Sequence, residues 1–385
     1  MPVLDPTQTR LSPHFLLSDF MGCFSVYRHG YRNVFDMEAP DMRLENARAL
    51  CHEVLEPILA LAGPISISYG FISPELSRRI VKYQDPDKPS HHRWDLGAAA
   101  DICVHDWVQS FAPGAKGTTS SPIEFALTHM QDRPISRLIT YSESPYFCVA
   151  VSADEVSRSD PRMAWYENRY GGEPKVKPEF RKMASAASRK MALDVLKKKG
   201  LSPDWRGAGH PTHHGGGLRQ YQHTRTSRYT MLSDWLFDAM YVEEGVPNVP
   251  KMGNPLVREA FQLAGLAYDR IVRTSGLPRL SVVSGYTSPE ATNAPWVEGR
   301  DWAGPVIEFE LAPPEYADPT DTMARCMIWP DIFEWIDIAV DRDRLIVKVD
   351  RENAKRYQES QVSAGTRTRT EDTADRVRRP GRRTR

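Results

Sequence analysis

The chain has 385 residues and carries 50 Lys and Arg against 50 Asp and Glu, so its formal net charge is zero. That balance gives no whole-chain attraction to nucleic acid or to an anionic membrane, and no apolar run approaches the roughly 18 residues of a bilayer-spanning helix. The length suffices for two domains of ordinary size, each burying its own core.

Met1 to Arg10 lacks the apolar stretch of a signal peptide, which predicts a chain made in the cytosol without one. The first phrase of note is Leu17-Ser18-Asp19-Phe20. After it, Leu44, Ala47, Leu50, Cys51, Val54, Leu55 and Ile58 fall at helical spacing and predict one long amphipathic helix, stopped by Gly63-Pro64. Ile65, Ile67 and Tyr69 alternate with serines as in a short strand, and a tight Ser73-Pro74 turn follows. Two further strands are expected, Ala98 to Val104 and Phe147 to Val151.

The same order then returns. Leu232-Ser233-Asp234-Trp235 repeats the first phrase, and Ser284-Gly285-Tyr286-Thr287-Ser288-Pro289-Glu290 repeats Ser68-Tyr69-Gly70-Phe71-Ile72-Ser73-Pro74-Glu75 with one residue fewer. Between these, Val257, Ala260, Leu263, Ala264, Ala267, Tyr268 and Ile271 predict a second long helix closed by Gly276. Leu280 and Val282, Val306 to Leu311, and Leu345 to Val349 read as its strands. A tandem duplication is the simplest cause. It predicts an α+β protein of two domains, each a long helix on a small antiparallel sheet: residues 1–152 and 230–351.

The segment 153–229 reads as an insert. Pro178 to Lys199 is expected to be a basic helix, and Leu201 to Tyr229 a Gly-, His- and Arg-rich loop. His210, His213, His214 and His223 surround glycines there, but no acidic residue or cysteine completes a closed metal site. Trp165, Tyr166 and Tyr170 read as packing residues. The tail, 352–385, is Arg/Thr-rich with almost nothing to bury and is expected to be disordered. The five cysteines, Cys23, Cys51, Cys103, Cys148 and Cys326, form no CxxC pair and read as buried free thiols.

The first copy carries Ser90-His91-His92 and Gly97-Ala98-Ala99-Ala100-Asp101-Ile102 after its Leu-Ser-Asp-Phe, helix and Ser-x-Gly-Phe-x-Ser-Pro segments. In that order it resembles the zinc D-Ala-D-Ala carboxypeptidases, a family that includes phage endolysins and shares its fold with the hedgehog signalling domain. The resemblance covers most of residues 12–152 and, more faintly, about 230–351. It implies a zinc held by His, Asp and a second His with one open position. Asp101 stands at the Asp position, and His92 or His91 near the first His, with a His-to-Asp spacing about two residues too long; without a gap Trp94 falls there. The family's last-strand His is replaced by Ala150, on the same strand face as Cys148 and Ser152. Its upstream carboxylate corresponds to Tyr141, with Glu143 a strand step away, and its substrate-binding Arg to Ile72. A shifted site using His105 with His92 and Asp101 is conceivable, because Asp101, Cys103 and His105 alternate on one strand. In the second copy Glu308 is expected at the Asp position, Lys348 at the last His and Thr287 at the Arg, with Glu308 and Lys348 forming a salt bridge in place of a metal.

Three functions follow as expectations. The first is a non-catalytic structural or binding protein built from two decayed peptidase folds, such as a phage virion or tail component partnered by other virion proteins. The second is a zinc peptidase acting on peptidoglycan peptides through a modified site in the first domain. The third is a nucleic-acid-associated protein using the basic insert and tail. The first is preferred at this level, because both copies lack the last-strand His and the Arg.

Overall fold

The computed structural model describes residues 4–35, 40–80, 90–105, 133–141, 146–153, 162–166, 179–182, 226–236, 245, 247–250, 254–288, 302–329, 332 and 334–360. In the first unit a small hairpin, β1 (Arg10–Ser12) and β2 (Phe15–Leu16), leads into a 3-10 turn at Leu17–Phe20 and α1 (Phe24–His29). The long helix runs as α2 (Pro40–Leu50), a π-helical turn (Cys51–Leu55) and α3 (Glu56–Ala62). Then come β3 (Ile65–Tyr69), α4 (Pro74–Ile80), β4 (Gly97–Val104), β5 (Ile135–Tyr141) and β6 (Phe147–Ser152). The second unit repeats this with a 3-10 turn at Leu232–Trp235, α5 (Pro255–Ser275), β9 (Ser281–Ser284), β10 (Val306–Ala312), α6 (Pro319–Met327), β11 (Ile336–Asp341) and β12 (Arg344–Asp350).

All seven apolar positions expected on each long helix are buried. Apolar residues at helical spacing leave one stripe, and that stripe packs on the sheet. The caps have local causes. Asn254 accepts the Leu256 amide at 3.0 Å and Pro255 opens α5, where its missing N–H costs nothing. Gly276 ends α5 at φ 72°, a left-handed conformation that glycine adopts without strain.

The repeated phrases have a shared structural purpose. Phe71 N donates to Phe20 O at 2.8 Å, and Tyr286 N to Trp235 O at 2.9 Å. A Cβ on Gly70 or Gly285 would lie 2.7 Å or 2.5 Å from the same carbonyl oxygens, so only glycine permits this approach. Asn33 and Asn248 clamp the two turns alike. Each donates to the carbonyl of the aromatic residue, Phe71 or Tyr286, and accepts the amide of Ser73 or Ser288. Trp94 and Trp302 fill equivalent core positions beside Phe20 and Trp235, at 5.7 Å in both cases. Neither asparagine nor tryptophan pair is evident from the repeated phrases, because the loops around them differ.

The sheets differ more than expected. The second has four strands in the order β9-β10-β12-β11, all antiparallel. The first has six, β3-β4-β6-β5-β7-β8, because β7 (Arg162–Tyr166) pairs in parallel with β5 and β8 (Glu179–Lys182) pairs with β7. Two strands of the expected insert thus extend the first sheet, and Glu179–Lys182 is strand rather than the start of a helix. The unpaired edge of β5 supplies the backbone partners that local propensity ignores. Residues 183–225, including His210, His213, His214 and His223, lie outside the described residues, as do Tyr170 and Glu143. The tail also begins with order: residues 351–360 form a helix, α7, not a disordered segment. It is anchored by buried Arg351, whose guanidinium donates to Trp302 O and Gly304 O, and by Tyr357 stacked on Trp335 at 5.7 Å. Residues 361–385 are outside the described set. No helix among the described residues is long and apolar enough to cross a membrane.

The units share more than a linker. Cys23, Val26, Tyr27, Ile72 and Leu76 from the first unit lie in the core of the second, and Met231 lies in the core of the first. Each 3-10 turn uses its Asp to accept an amide at its own start, from Leu16 to Asp19 and from Met231 to Asp234. Each Asp also reaches across to the other unit. Asp19 takes two hydrogen bonds from Arg279 and one from Ser281. Asp234 takes one from Ser66 at 2.6 Å. Pro64 precedes Ser66 as Arg279 precedes Ser281, so the first unit has no cation at the matching place. A cavity of about 30 Å³ lies between these networks, lined by Tyr27, Ser66, Asp234, Tyr268 and Arg279 among others.

Burial pushes Asp234 up to about 6, with its hydrogen bonds from Met231 and Ser66 and the charge of Arg279 opposing the rise. The unfolded chain loses this proton near the ordinary 3.8, while the folded chain holds it to about 6. Between these values the folded state binds the extra proton, so its stability falls as pH rises and levels off above the window. Relative to Asp234→Asn, the protein is expected to lose about 2–3 kcal/mol between about pH 4 and pH 7. Urea unfolding of both proteins at several pH values checks this, and parallel curves would refute it.

Candidate metal centre

His92 comes from a 3-10 turn, His91–Arg93, capped by Ser90, whose hydroxyl accepts the Arg93 amide at 3.2 Å. The turn is held on both sides. Ile72 N donates to His92 O at 2.7 Å, and His92 Nδ1 lies 2.9 Å from Gly70 O. A carbonyl can only accept, so Nδ1 carries the proton and Nε2 presents its lone pair away from Gly70. The Tyr69 ring packs edge-on at 4.8 Å and restricts the imidazole further.

Asp101 and Cys148 are directly opposite each other on β4 and β6. Opposed residues on neighbouring strands share a face, so the carboxylate and thiol emerge side by side. His92 Nε2 is 3.8 Å from Cys148 Sγ and 4.0 Å from Asp101 Oδ1. Ligand atoms of all three residues lie within 4.8 Å of one another. Tetrahedral zinc with bonds of roughly 2.0–2.3 Å places its ligands roughly 3.3–3.8 Å apart, so this set is near closure.

Two further observations fit a dication. Asp101 Oδ1 is buried without a hydrogen-bond partner, a costly state for a carboxylate oxygen. Burial also pushes Asp101 upward, against the pull of His92 and its hydrogen bond with Cys148. Cys148 is raised well above the ordinary thiol range by burial and then by Asp101. Two adjacent acids thus resist ionising together, and a bound cation would relieve both.

Trp94, which ungapped spacing puts at the first ligand position, is fully buried among Phe20, Phe35 and Phe71. It takes a left-handed conformation, φ 60°, at the end of the 3-10 turn that carries His92. His91 is absent from the three-residue cluster. Burial, then the charges of Arg137 and His92, push it down to about 4, so it is neutral near pH 7. His105 is not at the site either: its Nε2 lies 2.7 Å from Ser66 Oγ, in the network that reaches Asp234. The strand it follows ends at Val104, and the chain has turned into the unit interface. Ala150 is one strand step from Cys148 and faces Ala99, so Cys148 and not Ala150 stands opposite Asp101. Cys148 is a buried free thiol, as expected, and so are the other four cysteines. Ile72 is buried in the second unit's core and cannot meet a ligand here.

The second unit needs a parallel correction. Tyr69 pairs with Asp101, and Ser284 pairs with Glu310 after the same irregularity, so Glu310 rather than Glu308 matches Asp101. Ile346 stands opposite Glu310, and Arg344 pairs with it at 3.0 Å. The Glu308–Lys348 salt bridge forms at 3.2 Å, but in the place of Ala99 and Ala150. Both acids there meet cations, and among the described residues the second unit offers no cluster of metal-ligand atoms. Thr287, at the other substituted position, is fully buried.

The arrangement in the first unit can hold a zinc-type ion through one nitrogen, one carboxylate and one thiolate, with the fourth position open. The chain matches no family model, no curated protein and no solved structure.

Proposed function

We propose that the first unit is a zinc-dependent hydrolase of cell-wall-type peptides and that the second is a metal-free copy retained to complete the fold. The observation that carries this is the convergence of His92, Asp101 and Cys148 on one point, with the His92 ring oriented by Gly70 O. The non-catalytic reading rested on the absence of both the last-strand His and the Arg in both copies; the placement of Cys148 beside His92 and Asp101 supports a third ligand in the first unit. The resemblance to D-Ala-D-Ala carboxypeptidases supplies the substrate class.

The residues would act as follows. His92 offers Nε2, and Asp101 and Cys148 offer negative charge once deprotonated. A zinc bound there would supply Lewis acidity and an acidified water. The sheet supports Asp101 and Cys148 rigidly, and the 3-10 turn fixes His92, so little ordering remains for binding. Cross-packing of the two cores supports a structural task for the second unit: without it Ile72 and Leu76, close to the His92 clamp, would be exposed.

Elemental analysis of the purified full chain should find about one zinc per chain, lost in His92→Ala. Peptide hydrolysis should stop on chelation and return with zinc. A chain that takes up no zinc, or a His92→Ala variant that keeps it, would overturn the reading.

A further inference from the structure

A carboxylate clamp ties the segment before each 3-10 turn to the long helix, and in the first unit it carries two groups that the clamp does not need. Counting back from the two Leu-Ser-Asp phrases, Ser12 and His14 match Ser227 and Tyr229. Ser12 Oγ donates to Glu56 Oε1 at 2.6 Å, and His14 N donates to the same oxygen at 3.0 Å. Ser227 Oγ and Tyr229 N donate likewise to Asp269 Oδ1, at 2.7 and 3.1 Å. The units part at the second carboxylate oxygen. Asp269 Oδ2 accepts the Arg228 amide at 2.8 Å. Glu56 Oε2 instead meets the His14 ring, with Nδ1 at 2.7 Å. A backbone amide suffices for the clamp, so the imidazole is an addition. Glu56 also opens α3 directly after the π-helical turn, whereas α5 runs through Asp269 as unbroken α-helix. Single π turns of this kind are frequent at functional sites.

His14 Nε2 lies 2.8 Å from the hydroxyl of Tyr316, which the second unit supplies from the loop between β10 and α6. That loop is fastened to the first hairpin. Glu315 N donates to Pro13 O at 2.9 Å, and Arg10 Nη2 donates to Pro313 O at 2.7 Å. Burial pushes Glu56 up, but hydrogen bonds from His14 and Ser12 outweigh it and hold the carboxyl below its usual range. An ionised carboxylate only accepts, so Nδ1 carries the imidazole proton. Nε2 then offers its lone pair to the Tyr316 hydroxyl. Carboxylate, imidazole and hydroxyl in series form the arrangement that turns a hydroxyl into a nucleophile. Tyr316 is 63% exposed, so its oxygen is open to a reagent from solvent, while the His14 and Glu56 side chains are 11% and 18% exposed.

We propose that Glu56, His14 and Tyr316 form a second chemical site, separate from the His92, Asp101 and Cys148 set, at which Tyr316 takes an acyl group from an ester or thioester. The phenol oxygen bonds to the carbonyl carbon as its proton passes to His14 Nε2. The bond to the leaving group then breaks, and the leaving oxygen or sulfur takes that proton from Nε2. The Nδ1 proton stays between His14 and Glu56, which keeps the ring turned and offsets its transient charge. The products are a tyrosyl ester and a free alcohol or thiol. Glu56 acts through His14 and is a positioning residue. The site does not depend on the hydrolase reading, and it needs both units because each supplies one of the two reacting side chains.

The test treats the full chain with p-nitrophenyl acetate and locates the acetyl group by peptide mapping. Tyr316 should be acetylated about 100-fold faster than N-acetyltyrosinamide, the lower range for a positioned general base. His14→Asn should lose that advantage, and Tyr316→Phe should lose the label. The downfield proton resonance of an imidazole Nδ1–H donated to a carboxylate should appear in the wild type. It should vanish in Glu56→Gln, and labelling should slow with it. Tyr316 reacting no faster than the model amide, a rate unchanged in His14→Asn, or a fast label elsewhere overturns the proposal. Should His14→Asn fail to fold, the wild-type rate against the model amide still decides. Because the label is read at Tyr316 itself, turnover at the metal site does not mask the result.

Discussion

Replacing Arg279 with alanine is expected to destabilise the protein by about 3–5 kcal/mol, the cost of stranding a buried carboxylate. Arg279 and Asp19 are only 7% and 6% exposed. The guanidinium makes paired bonds to Asp19 at 2.8 and 3.1 Å, a third to His14 O at 2.7 Å and a fourth to Ser281 at 2.8 Å. It also lies over the Phe15 ring at 4.7 Å. Burial opposes its charge, but Asp19 holds it well above the ordinary arginine range. Among the described residues, removing the cation leaves Asp19 with the Leu16 amide and Ser281. The double variant Asp19→Asn with Arg279→Met should recover a large part of the loss, because no uncompensated charge remains. Urea unfolding of the single and double variants measures the coupling. Equal losses in the two would refute the claim that the stranded charge is the cause.

Cys148→Ser is expected to lower zinc affinity by more than about 100-fold, since loss of a mere supporting hydrogen bond to a ligand already costs about 10–100-fold. In the cobalt-substituted protein the sulfur-to-metal charge-transfer band should vanish with it. Ala150→Ser is the control. Its side chain faces Ala99, one strand step away, so zinc and the cobalt band should persist. A cobalt protein without a thiolate band, or a Cys148→Ser variant with undiminished affinity, would exclude Cys148 as a ligand.

The amino-acid sequence by itself determined the repeated phrases, the two long helices with their buried stripes, and the strands that follow them. These are short-range properties: apolar spacing, proline and glycine stops, and a glycine required wherever the chain crosses Phe20 O or Trp235 O. It also determined that Asp101, Cys148 and Ala150 lie on strands, and that Cys148 and Ala150 share a face. Which of the last two meets Asp101 depends on pairing register, and register is a relation between strands far apart in the chain. The same ignorance put Glu308 where Glu310 belongs, and it hid the β-bulge at Ser136. His105 shows the limit from the other side. Strand alternation allows it near Asp101, but the tertiary structure carries it to Ser66 and Asp234 at the unit interface. Only the folded chain decides that Cys148, and not Ala150, stands opposite Asp101 and beside His92, because a side chain's neighbours are the ones that packing gives it.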